Sequence, residues 1–205
     1  MKNGRLIVIS GFSGAGKGTV VKKVVEKYGY SLSISATTRA PREGEVDGKD
    51  YHFKTVEDFK NLIDYNGFVE WTQYVENYYG TPRKFLEDEI DAGRDVILEI
   101  EVKGAMNIRA QYPDAVLIFI TTRNVDVLRD RLSNRGSESE EIIDKRIKRA
   151  CEEAKFMGEY DFVVVNDDVD ECVDTVNSII ISQKCRKEEN EKLIEEIQKD
   201  FEAKA

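Results

Sequence analysis

The chain has 205 residues, the size of one domain with room for small insertions. Its 31 Lys and Arg stand against 40 Asp and Glu, and the formal net charge of −9 argues against a broadly basic surface for nucleic acid or anionic membrane. With 35% charged and 40% apolar residues the chain reads as soluble and globular, and a single histidine, His52, rules out a multi-histidine metal site.

In chain order, the apolar run Arg5–Ser10 reads as a buried strand, and a helical pattern follows over 17–28. Residues 33–80 are rich in Tyr, Thr and turn residues, with one short helix expected near 55–65, and read as a small inserted subdomain. Trp71 and Tyr78 in this stretch are expected to be packing residues. Thr81-Pro82 reads as a helix start, a hydroxyl cap followed by proline in the first turn, opening a helix over 82–92. Strands at Asp95–Ile100, Ala115–Thr121 and Phe162–Asn166 then alternate with helical patterns over 103–112, 124–134 and 139–157. Residues 134–140 read as an exposed turn. Residues 184–203 form a charged helical tail with apolar Leu193, Ile194 and Ile197, expected to pack on its own domain, with an oligomer contact as the alternative. The alternation argues for an α/β fold with a parallel central sheet flanked by helices. The longest apolar run, Ala115–Ile120, is far short of a membrane span, and Leu6–Ile9 is too short for the core of a signal peptide. Three cysteines without a Cys-x-x-Cys pair then favour a reducing, cytoplasmic setting.

The strongest local motif is Gly11-Phe12-Ser13-Gly14-Ala15-Gly16-Lys17-Gly18-Thr19. It fits GxxxxGK between a strand and a helix, the context of a phosphate-binding loop. Its glycines let backbone N–H groups wrap a phosphate, and the helix N-terminus adds positive potential. Lys17 is then expected on the β- and γ-phosphates of a nucleotide. The loop names a nucleotide phosphate without naming the reaction.

Arg39 and Arg42 lie three apart in a turn-rich stretch, and their guanidinium groups suit a second phosphate. They belong to Ser35-Ala36-Thr37-Thr38-Arg39-Ala40-Pro41-Arg42, followed by Gly44-Glu45 and Gly48-Lys49-Asp50-Tyr51-His52-Phe53. Phe68-Val69-Glu70-Trp71 and Asn77-Tyr78-Tyr79-Gly80-Thr81-Pro82 come next. Together with the phosphate loop, these blocks resemble the guanylate kinase family, in order from about residue 5 to about residue 182. The resemblance implies a nucleoside monophosphate kinase fold, with core 1–33, 82–123 and 157–184, a GMP-binding subdomain over 34–81, a lid over 124–156 and a charged helix over 185–205. It places the whole phosphate loop, Gly11 to Thr19, on ATP, and Ser35, Arg39, Arg42, Tyr51 and Tyr79 around the GMP phosphate.

Base choice needs its own chemistry. Guanine offers N1–H and an exocyclic amine as donors and O6 as acceptor, so a carboxylate and a hydroxyl suit it. The resemblance puts Glu70 on N1 and the 2-amine, Thr81 on O6 and Glu101 near the amine. Thr81 stands where many relatives have serine, and Glu101 where many have aspartate. Glu99 and Glu101 close the strand Asp95–Glu101 two residues apart, on one side of it. Glu99 is then expected in the metal's water shell or beside the acceptor. Arg131 and Arg135 are four apart on one helix face, with Arg146 following, and resemble lid arginines that close over the ATP phosphates. Asn166 and Asp167 resemble the segment bordering adenine, as Arg135 also does by packing.

The reaction implied is ATP + GMP ⇌ ADP + GDP with Mg²⁺, the positive charge coming from Lys17, Arg39, Arg42, Arg131, Arg135 and Arg146. Gly18 stands where a phosphate loop usually has Ser or Thr, and the hydroxyl comes one residue later at Thr19. The metal is therefore expected to bind largely through water, with Thr19 and Glu99 as its protein-side contacts. The substrates implied are ATP and GMP or dGMP, with no nucleic acid or membrane partner. Two other readings stay open: a non-catalytic interaction module of the same fold, and a phosphate-loop kinase with another acceptor, such as a sugar phosphate. The intact loop weighs against the first, and Glu70, Thr81 and Glu101 together against the second.

Overall fold

A computed structural model of the chain describes residues 4–74, 76–134 and 139–204. In chain order the elements begin with β1 (Leu6–Gly11), α1 (Lys17–Tyr28), β2 (Ser31–Leu32), β3 (Ala36–Thr37), β4 (His52–Phe53) and α2 (Val56–Asp64). They continue with β5 (Phe68–Tyr74), β6 (Asn77–Pro82), α3 (Arg83–Asp91), β7 (Val96–Glu99), α4 (Val102–Gln111) and β8 (Val116–Thr121). The last are α5 (Val125–Ser133), α6 (Glu140–Glu153), β9 (Phe162–Val165), α7 (Val169–Ser182) and α8 (Glu191–Glu202). A 3₁₀ turn over Ala154–Glu159 joins α6 to β9.

The Val/Ile-rich runs pair as one parallel sheet in the order β2-β7-β1-β8-β9. All six residues of β1 and all six of β8 are buried, which is why neither shows a polar alternation. The core joins side chains of the sheet, among them Ile7, Ile9, Leu117 and Phe119, to those of the flanking helices, such as Val20, Ile108 and Val176, with the edge-to-face rings of Phe12, Phe119 and Tyr160. Because β1 is central, with β7 and β8 on either side, its following loop emerges at the carboxyl edge where ligands of such sheets bind.

Residues 36–82 build a second sheet, in the order β4-β3-β6-β5. Its small core is Ala36, Phe59 and Phe68, with the Phe59 and Phe68 rings stacked at 4.4 Å and Tyr78 packed alongside. α2 starts on a working cap, the Thr55 hydroxyl accepting from the Asp58 N–H at 3.0 Å.

Four expectations change. Trp71 is 42% exposed, because it sits on the edge strand β5 and turns its ring outward. Thr81 caps no helix: it lies in β6 and gives its hydroxyl to Glu70, while Pro82 precedes α3 with no side-chain cap. α7 is a helix that the sequence reading passed over; Asp168 caps it by accepting from the Asp170 and Glu171 N–H groups, and Cys172, Val173, Val176 and Ile180 are buried along it. The tail helix α8 buries none of its residues, and its Phe201 is 72% exposed, so it does not pack on the domain as expected. No helix among the described residues is long and apolar enough to cross a membrane.

Candidate functional site

The loop between β1 and α1 is shaped by backbone. Gly11 holds φ +145°, and a Cβ there would stand 1.8 Å from the Ile120 carbonyl oxygen on β8, so only glycine fits. Inside the loop the Ala15 N–H donates to the Phe12 carbonyl at 3.0 Å. Asn166, at the end of β9 and 1% exposed, braces it from outside by donating its amide to the Ala15 carbonyl at 2.7 Å. Arg131 of α5 in turn donates to the Asn166 carbonyl at 2.7 Å and to the Ala15 carbonyl at 3.3 Å. The Lys17 ammonium folds over the loop, 2.7 Å from the Gly11 carbonyl and 3.2 Å from that of Phe12. Ser13, Gly14, Gly16, Lys17, Gly18, Thr19 and Glu99 line a cavity of about 210 Å³ at the start of α1. Burial raises the Glu99 carboxyl above its ordinary value; the Lys17 charge works the other way, and Glu101 adds to the rise.

The acceptor side is shaped by side chains. Arg39 donates to the Glu45 carboxylate at 2.8 Å, and its guanidinium lies 5.4 Å from the Tyr51 ring centre. The other Glu45 oxygen accepts from the Arg42 N–H at 2.7 Å, so one carboxylate organises both arginine positions and is held below its ordinary pKa, chiefly by Arg39. Tyr51 and Tyr79 meet edge to face at 6.2 Å. The Tyr51 hydroxyl titrates higher than usual, through burial first and then through the charge of Glu99. Ser35 and Arg42 lie on the same stretch, Ser35 taking the His52 N–H on its carbonyl at 2.9 Å.

Glu70 sits at a bulge. The β5–β6 register shifts between Phe68 and Glu70, which sets Glu70 directly opposite Thr81. The Thr81 hydroxyl donates to Glu70 Oε1 at 2.8 Å, while the buried Oε2 takes no hydrogen bond among the described residues. Gly104 of α4 makes the room: a Cβ there would lie 2.8 Å from Oε2. Glu70 is 6% exposed, and burial pushes its carboxyl up to about 7, against the pull of the Thr81 hydroxyl.

The helix α6 reaches both halves. Arg146 donates to the Ser13 hydroxyl in the phosphate loop at 2.8 Å. Arg149 donates to Glu101, just past β7, and to Glu153 of its own helix, both at 2.7 Å. Asp167 is ion-paired with Arg123. Arg135 lies outside the described residues. Among the described residues no group of three or more His, Cys, Asp or Glu is placed to hold a metal ion.

The guanylate kinase family model matches residues 3–183. A guanylate kinase of Caldanaerobacter subterraneus subsp. tengcongensis is 48% identical over 200 residues, 97% of each chain. One of Clostridium acetobutylicum is 46% identical over 185 residues, 90% of this chain and 88% of that one. The chain belongs to the guanylate kinase family. Its fold agrees: the crystal structure of guanylate kinase from Anaplasma phagocytophilum matches with a TM-score of 0.76 at 33% identity, over 90% of this chain and 88% of that one. The family resemblance included Glu45 in one of its blocks without giving it a role, and it left out Arg149 and Glu153. The Arg149–Glu153 pair carried a readable signal, four residues apart on one helix. The Arg149–Glu101 bond, 48 residues apart in sequence, carried none.

Proposed function

We propose that this member of the guanylate kinase family transfers the γ-phosphoryl group of ATP to GMP or dGMP, giving ADP and the nucleoside diphosphate. The observation that carries the acceptor assignment is Glu70: a buried carboxylate with one oxygen engaged by Thr81 and the other without a donor. Leaving such an oxygen unmatched costs roughly 1–3 kcal/mol, and the N1–H and 2-amino donors of guanine would relieve it. Adenine brings a lone pair at N1 and would not. Thr81 suits O6 once its hydroxyl proton turns from Glu70 Oε1 to that acceptor, which frees Oε1 for a guanine donor, and Glu101 suits the outer edge of the amine.

In this reading, residues 34–81 carry the acceptor, residues 124–156 form the lid, and the remainder up to 184 is the core. Arg39, Arg42, Ser35, Tyr51 and Tyr79 hold the GMP phosphate. An oxygen of that phosphate is already ionised near neutral pH, its second pKa being about 6, so it attacks without a general base. Lys17 follows the β- and γ-phosphates, and Arg131, Arg135 and Arg146 neutralise the charge that spreads over the transferring group. Asn166 and Asp167 border the adenine, Asn166 also keeping the loop in shape through Ala15. Glu99 and Thr19 line the cavity beside Lys17, a donor set that fits Mg²⁺ bound mostly through water. When bound, that ion supplies charge neutralisation between the phosphates. Alignment and exclusion of water then account for the rate. The setting that fits these substrates is the cytoplasm.

A coupled assay on the purified protein tests the proposal. ADP release from ATP should depend on GMP or dGMP and fail with AMP or a sugar phosphate. Equal turnover with AMP, or none with GMP, contradicts it.

A further inference from the structure

α6 carries two arginines three residues apart, and they face different halves of the site. Arg146 reaches Ser13 in the phosphate loop at 2.8 Å. Arg149 reaches Glu101, at the end of β7, at 2.7 Å. The same guanidinium donates through Nε to Glu153 at 2.7 Å, so its plane is fixed from within its own helix. Glu153 is buried, and burial raises its carboxyl above the ordinary value, while the hydrogen bond from Arg149 pulls the other way. Glu101 opens α4 without capping it, and only its Oε2 is engaged among the described residues. A half-exposed glutamate between β7 and α4 is thus held by one oxygen, while the other stays open to a donor.

We infer that Arg149 is a positioning residue for acceptor specificity: clamped by Glu153, it aims the Glu101 carboxylate at the 2-amino group of the acceptor base. This rests on the reading of Glu101 proposed above. It goes further by making the lid helix part of base selection. An arginine suits the task because its planar fork serves two carboxylates at once, whereas a lysine's single ammonium cannot hold both in one plane.

The test compares GMP with inosine monophosphate, which lacks only the 2-amino group. Arg149→Gln should lower the preference for GMP over inosine monophosphate about tenfold, the usual scale of one well-placed hydrogen bond. The ATP KM should stay within about twofold. Glu101→Gln should lower the same preference, and the double variant should do little more than either alone, since the two act as one unit. Arg149→Lys should remain well below the natural protein, and it carries the same comparison if Arg149→Gln does not fold. A loss shared equally between the two nucleotides marks Arg149 as merely structural and overturns the inference. So do multiplicative losses in the double variant. If Glu101→Gln leaves the preference intact, the reading of Glu101 itself fails, and the inference with it. If Glu101→Gln lowers it and Arg149→Gln does not, only the positioning role fails.

Discussion

In the proposed reading the phosphate loop and the acceptor face each receive a phosphate, and they are built in opposite ways. The loop uses backbone: glycine torsions, a helix N-terminus and carbonyls braced by Asn166 and Arg131. Its lysine, Lys17, rests on two carbonyls of the loop itself. The acceptor face uses side chains that already have partners, with Arg39 on Glu45 and Thr81 on Glu70. The first kind of site is shaped before the ligand arrives. The second is held ready by resident acids, so its selectivity depends on how each acid is buried.

Variants can break or sharpen this contrast. The largest effect is expected at Lys17, the loop's only side-chain contact to the transferring group in the proposed reading. Lys17→Met should lower kcat by about 10³ while leaving the GMP KM within a few-fold, as steady-state kinetics would show. A large rise in GMP KM instead would mean that the two halves are not separately built.

Next comes the burial of Glu70. Burial raises its folded pKa to about 7 from the ordinary 4.5, so between those values the unfolded chain releases a proton that the folded protein keeps. Stability in the free protein should therefore fall as pH rises from about 4.5 to about 7, then level off once both states are ionised. At about 1.4 kcal/mol per pKa unit, the penalty is of order 3 kcal/mol. Urea unfolding at pH 5 and pH 8 should show Glu70→Gln losing less than the natural protein over that interval, and an equal loss would remove the burial argument.

A smaller change is expected at Glu45. Glu45→Gln releases Arg39 from its orienting carboxylate, and the GMP KM should rise roughly fivefold with the ATP KM unchanged. The smallest concerns α8, which lies outside both sites and buries nothing. Ending the chain after Asn190 should move the thermal midpoint by no more than about 2 °C, since exposed residues contribute little.

How far these features were readable follows from the range of the forces involved. The strands and the phosphate loop rest on local signals, continuous apolar runs and a glycine spacing, and both are visible in the chain. The acceptor residues were visible only as blocks resembling a family. What makes Glu70 unusual, the bulge opposite Thr81 and the gap at Gly104, arises between segments and has no local trace. Trp71 shows the limit of reading residue type, since an aromatic on an edge strand can face either way. α7 carries a legible signal of its own: Asp168 is a helix-capping residue type at its start, and its apolar spacing is helical.

The opening charge balance also divides along these lines. Residues 151–182 hold one basic and nine acidic side chains, whereas 122–150 hold eight basic and six acidic. Most of the excess acid gathers beyond the proposed lid stretch, 124–156, so a net charge of −9 is compatible with the two arginine and lysine clusters proposed to face phosphates.

The most direct measurement is the ratio of kcat/KM for GMP to that for AMP in Glu70→Ala against the natural protein. The account predicts that the preference for GMP falls by about a hundredfold while the ATP KM holds. An unchanged preference would contradict the claim that the buried oxygen of Glu70 reads the acceptor base.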